Sequence, residues 1–381
     1  MKTMKSIKKL LLLLIVSSGL LFAGKDLQEK TKTFSASKGG SLIVKINPGD
    51  VTINTWDKNE VLIKVKGLEK EDLEELTMRE KNNSIYVEFE SNWGWSDDAK
   101  FYISVPSQFN VDIQTTGGDI EINGNLTGKL DASTSGGDIE FYDVNGDVIV
   151  STSGGDIECG DINGKLKLNT QGGDIKIGKV TGGEAYVSTM GGDIRVDDVN
   201  SDLEAKTYGG DITVGNVGGN ATVVTYGGDI KLQKVSGSVD MSTYGGNLSL
   251  RSASGSVKAS TYGGNITLDN VTGTVDAKTS AGRITVDLNP SGKGSSRLKT
   301  SAGEIILTIP SSAKATIEAE IEIDGYRSRR ETEYKVYSDF EADSYVKDGD
   351  TIYAVYKLNG GGEKIQLQTV NSNIKIKKSI K

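Results

Sequence analysis

The chain has 381 residues, of which 48 are Gly, 4 are Pro, one is Cys and none is His. Without His there is no Ser-His-Asp or Cys-His catalysis, no His-ligated zinc and no imidazole acid–base chemistry. A formal net charge of −8 argues against a nucleic-acid partner held by a basic surface, and a single Cys excludes an intramolecular disulfide.

The first 23 residues read as a signal peptide. Lys2, Lys5, Lys8 and Lys9 precede an apolar run from Leu10 to Phe22, which is too short to cross a bilayer comfortably, and Ala23 suits cleavage. No Cys lies nearby for lipid attachment, and no later stretch is apolar enough to span a membrane as a helix. The expected location is therefore outside the cytoplasm: periplasm, cell surface or medium.

Residues 24–113 read as an N-terminal β cap. Gly49-Asp50-Val51-Thr52-Ile53 is a strand. After the polar turn Asp57-Lys58-Asn59, Val61 to Val65 reads as its partner. Glu69 to Leu73 is an acidic helical turn, and Leu76 to Phe89 is a hairpin about Asn82-Asn83. The loop Asn92 to Asp98 carries Trp93 and Trp95, either a contact hot spot or a cover for the first coil. Phe101 to Val105 is a further strand, ended by Pro106.

From 114 to 309 one phrase, Thr-x-Gly-Gly-Asp-Ile-x-aliphatic, recurs eleven times, mostly eighteen residues apart. Self-similarity at so short a period means stacked units that bury their apolar faces only against one another. Within each unit the apolar residues fall at every second place, the strand period. Gly clusters supply the turns. Eighteen residues cannot hold a helix and a strand with their connections, so the chain is predicted to be all-β: a single-stranded β-solenoid, or β-helix, of about eleven coils with a β cap at each end. Its narrow core is built from columns such as Ile120, Ile139, Ile157 and Ile175; Ile122, Phe141, Cys159 and Ile177; and Val144, Ile162, Val180 and Val199. Cys159 thus reads as a buried small hydrophobe. Two steps of nineteen residues predict single insertions at corners, near Thr127-Gly128 and Gly182-Gly183. Pro310 ends the regular repeat. Residues 310–381 read as a C-terminal cap of longer strands, and Thr369 to Ile376 returns to the phrase and rejoins the stack. Bare terminal strands invite polymerisation, which caps prevent.

The opening "PGDVTINTWDKNEVLIKV", the entry "YISVPSQFNVDIQTTGGDIEI", the Gly-Gly-Asp-Ile coils and the closing "LNGGGEKIQLQTVNSNIKI" resemble the exported bacterial putative-adhesin domains. The resemblance covers nearly the whole mature chain. It implies a cell-envelope β-solenoid with a binding role, and it offers no catalytic residues.

Two further columns are candidate sites. Asp119, Asp138, Asp156, Asp174, Asp193, Asp211 and Asp229 form a ladder of like charges. One reading is that each Asp caps its own Gly-Gly turn by accepting backbone N–H bonds, a role that Asn247 and Asn265 would share. The other is a row of Ca²⁺ ions, although the spacing is not that of the nine-residue calcium β-roll. The residue before each Gly-Gly faces outward and becomes Tyr208, Tyr226, Tyr244 and Tyr262 in four consecutive coils. These form either a self-stacking ladder or a platform for a sugar or a protein. The run Arg327, Arg329, Arg330 reads as solvated.

The sequence thus predicts an exported, non-catalytic, adhesin-like binding or structural module of the envelope, with polysaccharide or a surface protein as partner and no cofactor unless calcium. The alternatives are a polysaccharide-acting β-helix enzyme, betrayed by acids and Lys or Arg gathered in one groove, and a scaffold that assembles end to end.

Overall fold

The computed structural model describes residues 27–91, 99–292, 294–324 and 333–379. The signal-peptide segment, Trp93, Trp95 and the Arg327, Arg329, Arg330 run lie outside the described residues. The chain is a β-solenoid. Each coil contributes one strand to a first parallel sheet and one to a second, and the Thr-x-Gly-Gly-Asp turn carries the chain from the second sheet back to the first. Ile175–Val180 pairs in register with Ile194–Val199, so that Ile175 meets Ile194 and Ile177 meets Val196. Ala185–Ser188 pairs likewise with Leu203–Lys206. In-register parallel stacking converts sequence columns into spatial ladders at the inter-strand spacing of about 4.8 Å. All three predicted apolar columns are buried.

The second sheet adds two core columns that the sequence reading passed over. Leu130, Val148, Leu166, Ala185 and Leu203 form one, and Ala132, Val150, Leu168, Val187 and Ala205 the other, all at most 2% exposed. The signal was present as the aliphatic-x-aliphatic triplet that ends two residues before each Thr.

The Gly-Gly step has two unequal halves. A Cβ on Gly137 would overlap the carbonyl of Gly118 in the coil before, whereas one on Gly136 would find nothing nearer than 3.8 Å. This close approach explains the drift to Ala281-Gly282 and Ala302-Gly303: along the rod a Cβ would come within 1.8–2.2 Å of backbone at every second position but only within 2.9–3.8 Å of its nearest neighbour at the first, tightest at Gly191, Gly209 and Gly227.

One predicted insertion is displaced. Ile122 and Leu126 are separated by one more residue than Phe141 and Val144, while Leu126 pairs with Val144. The extra residue therefore sits at Asn123-Gly124-Asn125, before the corner at Thr127-Gly128. Gly124 takes a φ of 92° there, a value that Gly adopts without a Cβ penalty. The second insertion falls at Gly182-Gly183 as expected, between Val180 and Ala185.

Both caps are interleaved with the stack. Gly40–Asn47 pairs with Phe109–Gln114 on one side and Ser84–Glu90 on the other. Asp50–Trp56 is likewise flanked by Ile120–Asn123 and Lys100–Pro106. The strand at Gly49-Asp50-Val51 is thus a true coil of the stack, wedged between the first repeat and a coil laid down later in the chain. The expected pairing of Val51–Ile53 with Val61–Val65 does not occur, because Lys100–Pro106 lies between them and itself pairs with Glu60–Leu68. The other end repeats the device. The closing strands Glu363–Val370 and Ile374–Lys378 sit between the last repeat and the strands Ala315–Glu322 and Val336–Ser338. The hairpin about Asn82-Asn83 forms, with φ of 53° and 59° at its two turn residues. The acidic turn is a short helix, Asp72–Glu75. Antiparallel strands, among them Gln28–Ser35 and Ser344–Asp348, finish the sheets. They interrupt the parallel template and place Lys30 and Lys32 on an edge.

Candidate functional site

The turn is held by the Thr, and the Asp acts elsewhere. Thr170 Oγ1 donates to the carbonyl of Gly155, in the preceding coil, at 2.8 Å and accepts the N–H of Gly173 in its own turn at 3.3 Å. The first bond recurs at 2.7–2.9 Å from Thr115 on Gly49 to Thr369 on Gly303, so it also ties the opening and closing coils to the rod. These Thr side chains are buried, where an unmade hydrogen bond is costly. Asp174 instead accepts, through Oδ1, the N–H of Asp193 in the following coil at 2.7 Å. The ladder begins at Asp50 and passes through each predicted Asp and then Asn247 and Asn265, ending on the N–H of Arg283. The expectation that each Asp caps its own turn is therefore corrected. Within the turn the Thr hydroxyl already takes the amide of the second Gly, and the Asp carboxylate serves the next coil instead. The same device serves the other corners, where Asp143 accepts from Asp161 N and Asp202 from Asn220 N. Among the described residues no group of three or more His, Cys, Asp or Glu is placed to hold a metal ion.

The tyrosine column lies at the surface. Tyr208, Tyr226, Tyr244 and Tyr262 are 55–62% exposed, and Met190 continues the row at 50%. The rings are stacked face to face in two pairs: Tyr208 on Tyr226 at 4.9 Å and 3°, and Tyr244 on Tyr262 at 5.0 Å and 2°. Half of the ring faces are thereby turned toward one another, while the ring edges and hydroxyls stay at the surface. Cys159 is buried in the second column, and burial pushes its thiol far up from the ordinary value, so it stays protonated.

Acids and lysines do gather on the outer face of the second sheet, beside the residues Lys129, Asp147, Lys165, Glu184, Asp202 and Glu204. Three of the carboxylates already have structural partners. Asp147 accepts the N–H of Lys165 at 2.9 Å, Asp202 accepts that of Asn220 at 2.7 Å, and Glu204 pairs with Lys206.

A family model described as Toastrack DUF4097 matches residues 41–263 and 202–377, two overlapping stretches that together run from the opening coil to the closing one. The chain belongs to the Toastrack DUF4097 family. The interleaved end coils of this Toastrack protein thus fall within the family match, as the central coils do. No curated protein is similar in sequence. Among solved structures, a putative adhesin from Bacteroides fragilis is similar at 12% identity over 92% of this chain and 97% of its own, with a TM-score of 0.25. A putative adhesin from Parabacteroides merdae is similar at 14% identity over 74% of this chain and 96% of its own, with a TM-score of 0.29. A putative lipid binding protein from Parabacteroides distasonis is similar at 13% identity over 74% of this chain and 89% of its own, with a TM-score of 0.22. No residue role in the Toastrack chain follows from these likenesses.

Proposed function

We propose that this Toastrack protein is an exported, non-catalytic binding rod of the cell envelope that meets a surface protein along its tyrosine edge. One observation carries the reading: four consecutive coils, preceded by Met190, hold an exposed Tyr at a place where the other coils manage with Thr116, Ser135, Ser153, Gln171, Ser280 or Ser301. The fold does not need aromatic rings there. Tyr edges with hydroxyls are typical of protein contact surfaces, where a large rigid side chain joins apolar area to a hydrogen-bonding tip. The stacking withdraws half of the ring faces from any sugar that would lie on them. The basic and apolar segments at Lys2–Phe22 support export. The enzyme alternative is weakened by the structural engagement of Asp147, Asp202 and Glu204.

The test is binding of the labelled mature protein to isolated envelopes, comparing wild type with Tyr226→Ala/Tyr244→Ala after circular dichroism has shown both folded. Binding should be lost in the double variant and after protease treatment of the envelopes. Binding that resists protease but is abolished by periodate would assign the edge to polysaccharide instead. Equal binding by both proteins would remove the tyrosine edge from function.

A further inference from the structure

A second surface, separate from the tyrosine edge, departs from the repeat in a different way. On the outer face of the second sheet the central residue of each strand points to solvent, and along the rod it reads Asp131, Ile149, Lys167, Tyr186, Glu204, Thr222 and Asp240. All but two are polar. Ile149 is 40% exposed and Tyr186 is 37% exposed, and nothing in the solenoid core calls for an apolar group at either place. The two lie two coils apart, roughly 10 Å at the inter-strand spacing, and both border one trough of about 820 Å³. An adjoining hollow of about 570 Å³ extends it across Ser151, Asn169 and Ser188.

The chemistry of the walls is mixed on a fine scale. The rim is mixed in sign, reading Lys129, Asp147, Lys165, Glu184 and Asp202 from coil to coil, and the opposite wall is a row of small hydroxyl and amide groups. Ser188 Oγ donates to Asn169 Oδ1 at 2.7 Å, which orients the Asn169 amide. Lys167 leans toward the Tyr186 ring, 6.0 Å from its centroid. A strongly charged polymer would meet repulsion as often as attraction along such a rim. A ligand rich in hydroxyls would not, because each hydroxyl both donates and accepts. Apolar patches that can underlie the C–H face of a sugar ring, set among fixed donors and acceptors, are what an uncharged saccharide requires.

We propose that this trough is a binding site for an uncharged oligosaccharide, laid along the rod axis with Tyr186 and Ile149 beneath it and Asn169, Ser151 and the rim charges hydrogen-bonding its hydroxyls. The proposal does not rest on the tyrosine edge, and either can fail alone. The experiment is calorimetric titration of the full mature protein with soluble oligosaccharides of glucose, mannose and N-acetylglucosamine, and with oligogalacturonate as the acidic counterpart. At least one neutral series should bind, with little dependence on salt. Tyr186→Ala should weaken that binding about tenfold or more, and Asn169→Ala should weaken it independently, while Tyr226→Ala/Tyr244→Ala should leave it unchanged. Both trough variants alter solvent-facing side chains, and their circular dichroism should match wild type. Failure of every neutral series to bind, binding confined to oligogalacturonate, or neutral binding indifferent to both Tyr186→Ala and Asn169→Ala would overturn the proposal.

Discussion

The hydroxyl of Thr170 lies 2.8 Å from the carbonyl oxygen of Gly155, one coil earlier, and this bond is repeated at each Thr of the phrase from Thr115 to Thr300. It accounts for the fact that this Thr, like the second Gly of the step, never varies in the repeat. Thr170→Val keeps the shape but removes the donor to Gly155 O and the acceptor for Gly173 N. Leaving buried backbone groups unpaired costs about 1–3 kcal/mol each, so the loss should be about 2–4 kcal/mol in urea unfolding. Thr170→Ser, which retains the hydroxyl, should lose markedly less. Equal losses in the two variants would mean that the methyl packing, not the hydroxyl, fixes the residue.

The unequal halves of the Gly-Gly step give a sharper contrast. Gly136→Ala should leave the melting temperature nearly unchanged, because the added methyl group would meet the backbone of Gly117 only at an ordinary contact distance of 3.8 Å. Gly137→Ala forces the backbone of Gly118 aside and should cost about 2 kcal/mol or more. Differential scanning fluorimetry of the pair decides it, and tolerance at both positions would refute the close-approach argument.

For the Asp ladder, the inter-coil bond predicts that the acceptor matters and the charge does not. Asp174→Asn keeps an oxygen for the N–H of Asp193 and removes repulsion from the neighbouring carboxylates, so its stability should equal or exceed wild type. Asp174→Ala should lose about 1 kcal/mol. The calcium reading makes the opposite forecast, since Asn would weaken an ion site. On the structural reading EGTA leaves the melting temperature unchanged, and a fall that added calcium reverses would favour the ion.

Asp112 supplies a pH signature. Its carboxyl lies on the outer face of the second sheet, and Oδ1 is buried without a partner. Burial first, and the adjacent Asp131 second, push its value up from the ordinary 3.8, with Lys45 and Lys129 opposing. The folded state therefore holds this proton more tightly than the unfolded state does. The resulting stability is full below 3.8 and is lost as the pH rises from there through the raised value. Asp112→Asn should remove this loss. The gap in stability between variant and wild type should open as the pH climbs through that window and then stay constant. A gap that does not change with pH would show that the carboxyl is not perturbed.

Much of the architecture could be read from the residues alone, because a parallel in-register stack writes each spatial column as a sequence column. Ile120, Ile122 and Val144 recur at the coil period, and the inward and outward faces follow from alternation at period two. The same logic located the tyrosine row and the Asp row and placed Thr369 back in the stack. Three features required the tertiary structure. The order of stacking at the ends is one: the strand at Asp50 belongs beside Ile120, and Lys100–Pro106 comes between it and the strand at Val61, since pairing across a cap depends on which coil is laid outside which and not on local pattern. The direction of the turn bonds is another, because Thr170 and Asp174 sit four residues apart in one phrase and only the geometry shows that Thr170 reaches back to Gly155 while Asp174 reaches forward to Asp193. The third is the orientation of the exposed groups. Sequence spacing brought Tyr208 and Tyr226 together, but whether their faces met each other or the solvent depended on side-chain rotamers at a coil spacing that matches ring stacking. Ile149 and Tyr186, two coils apart and unremarkable in the sequence, came to border one trough only when the stack set them side by side.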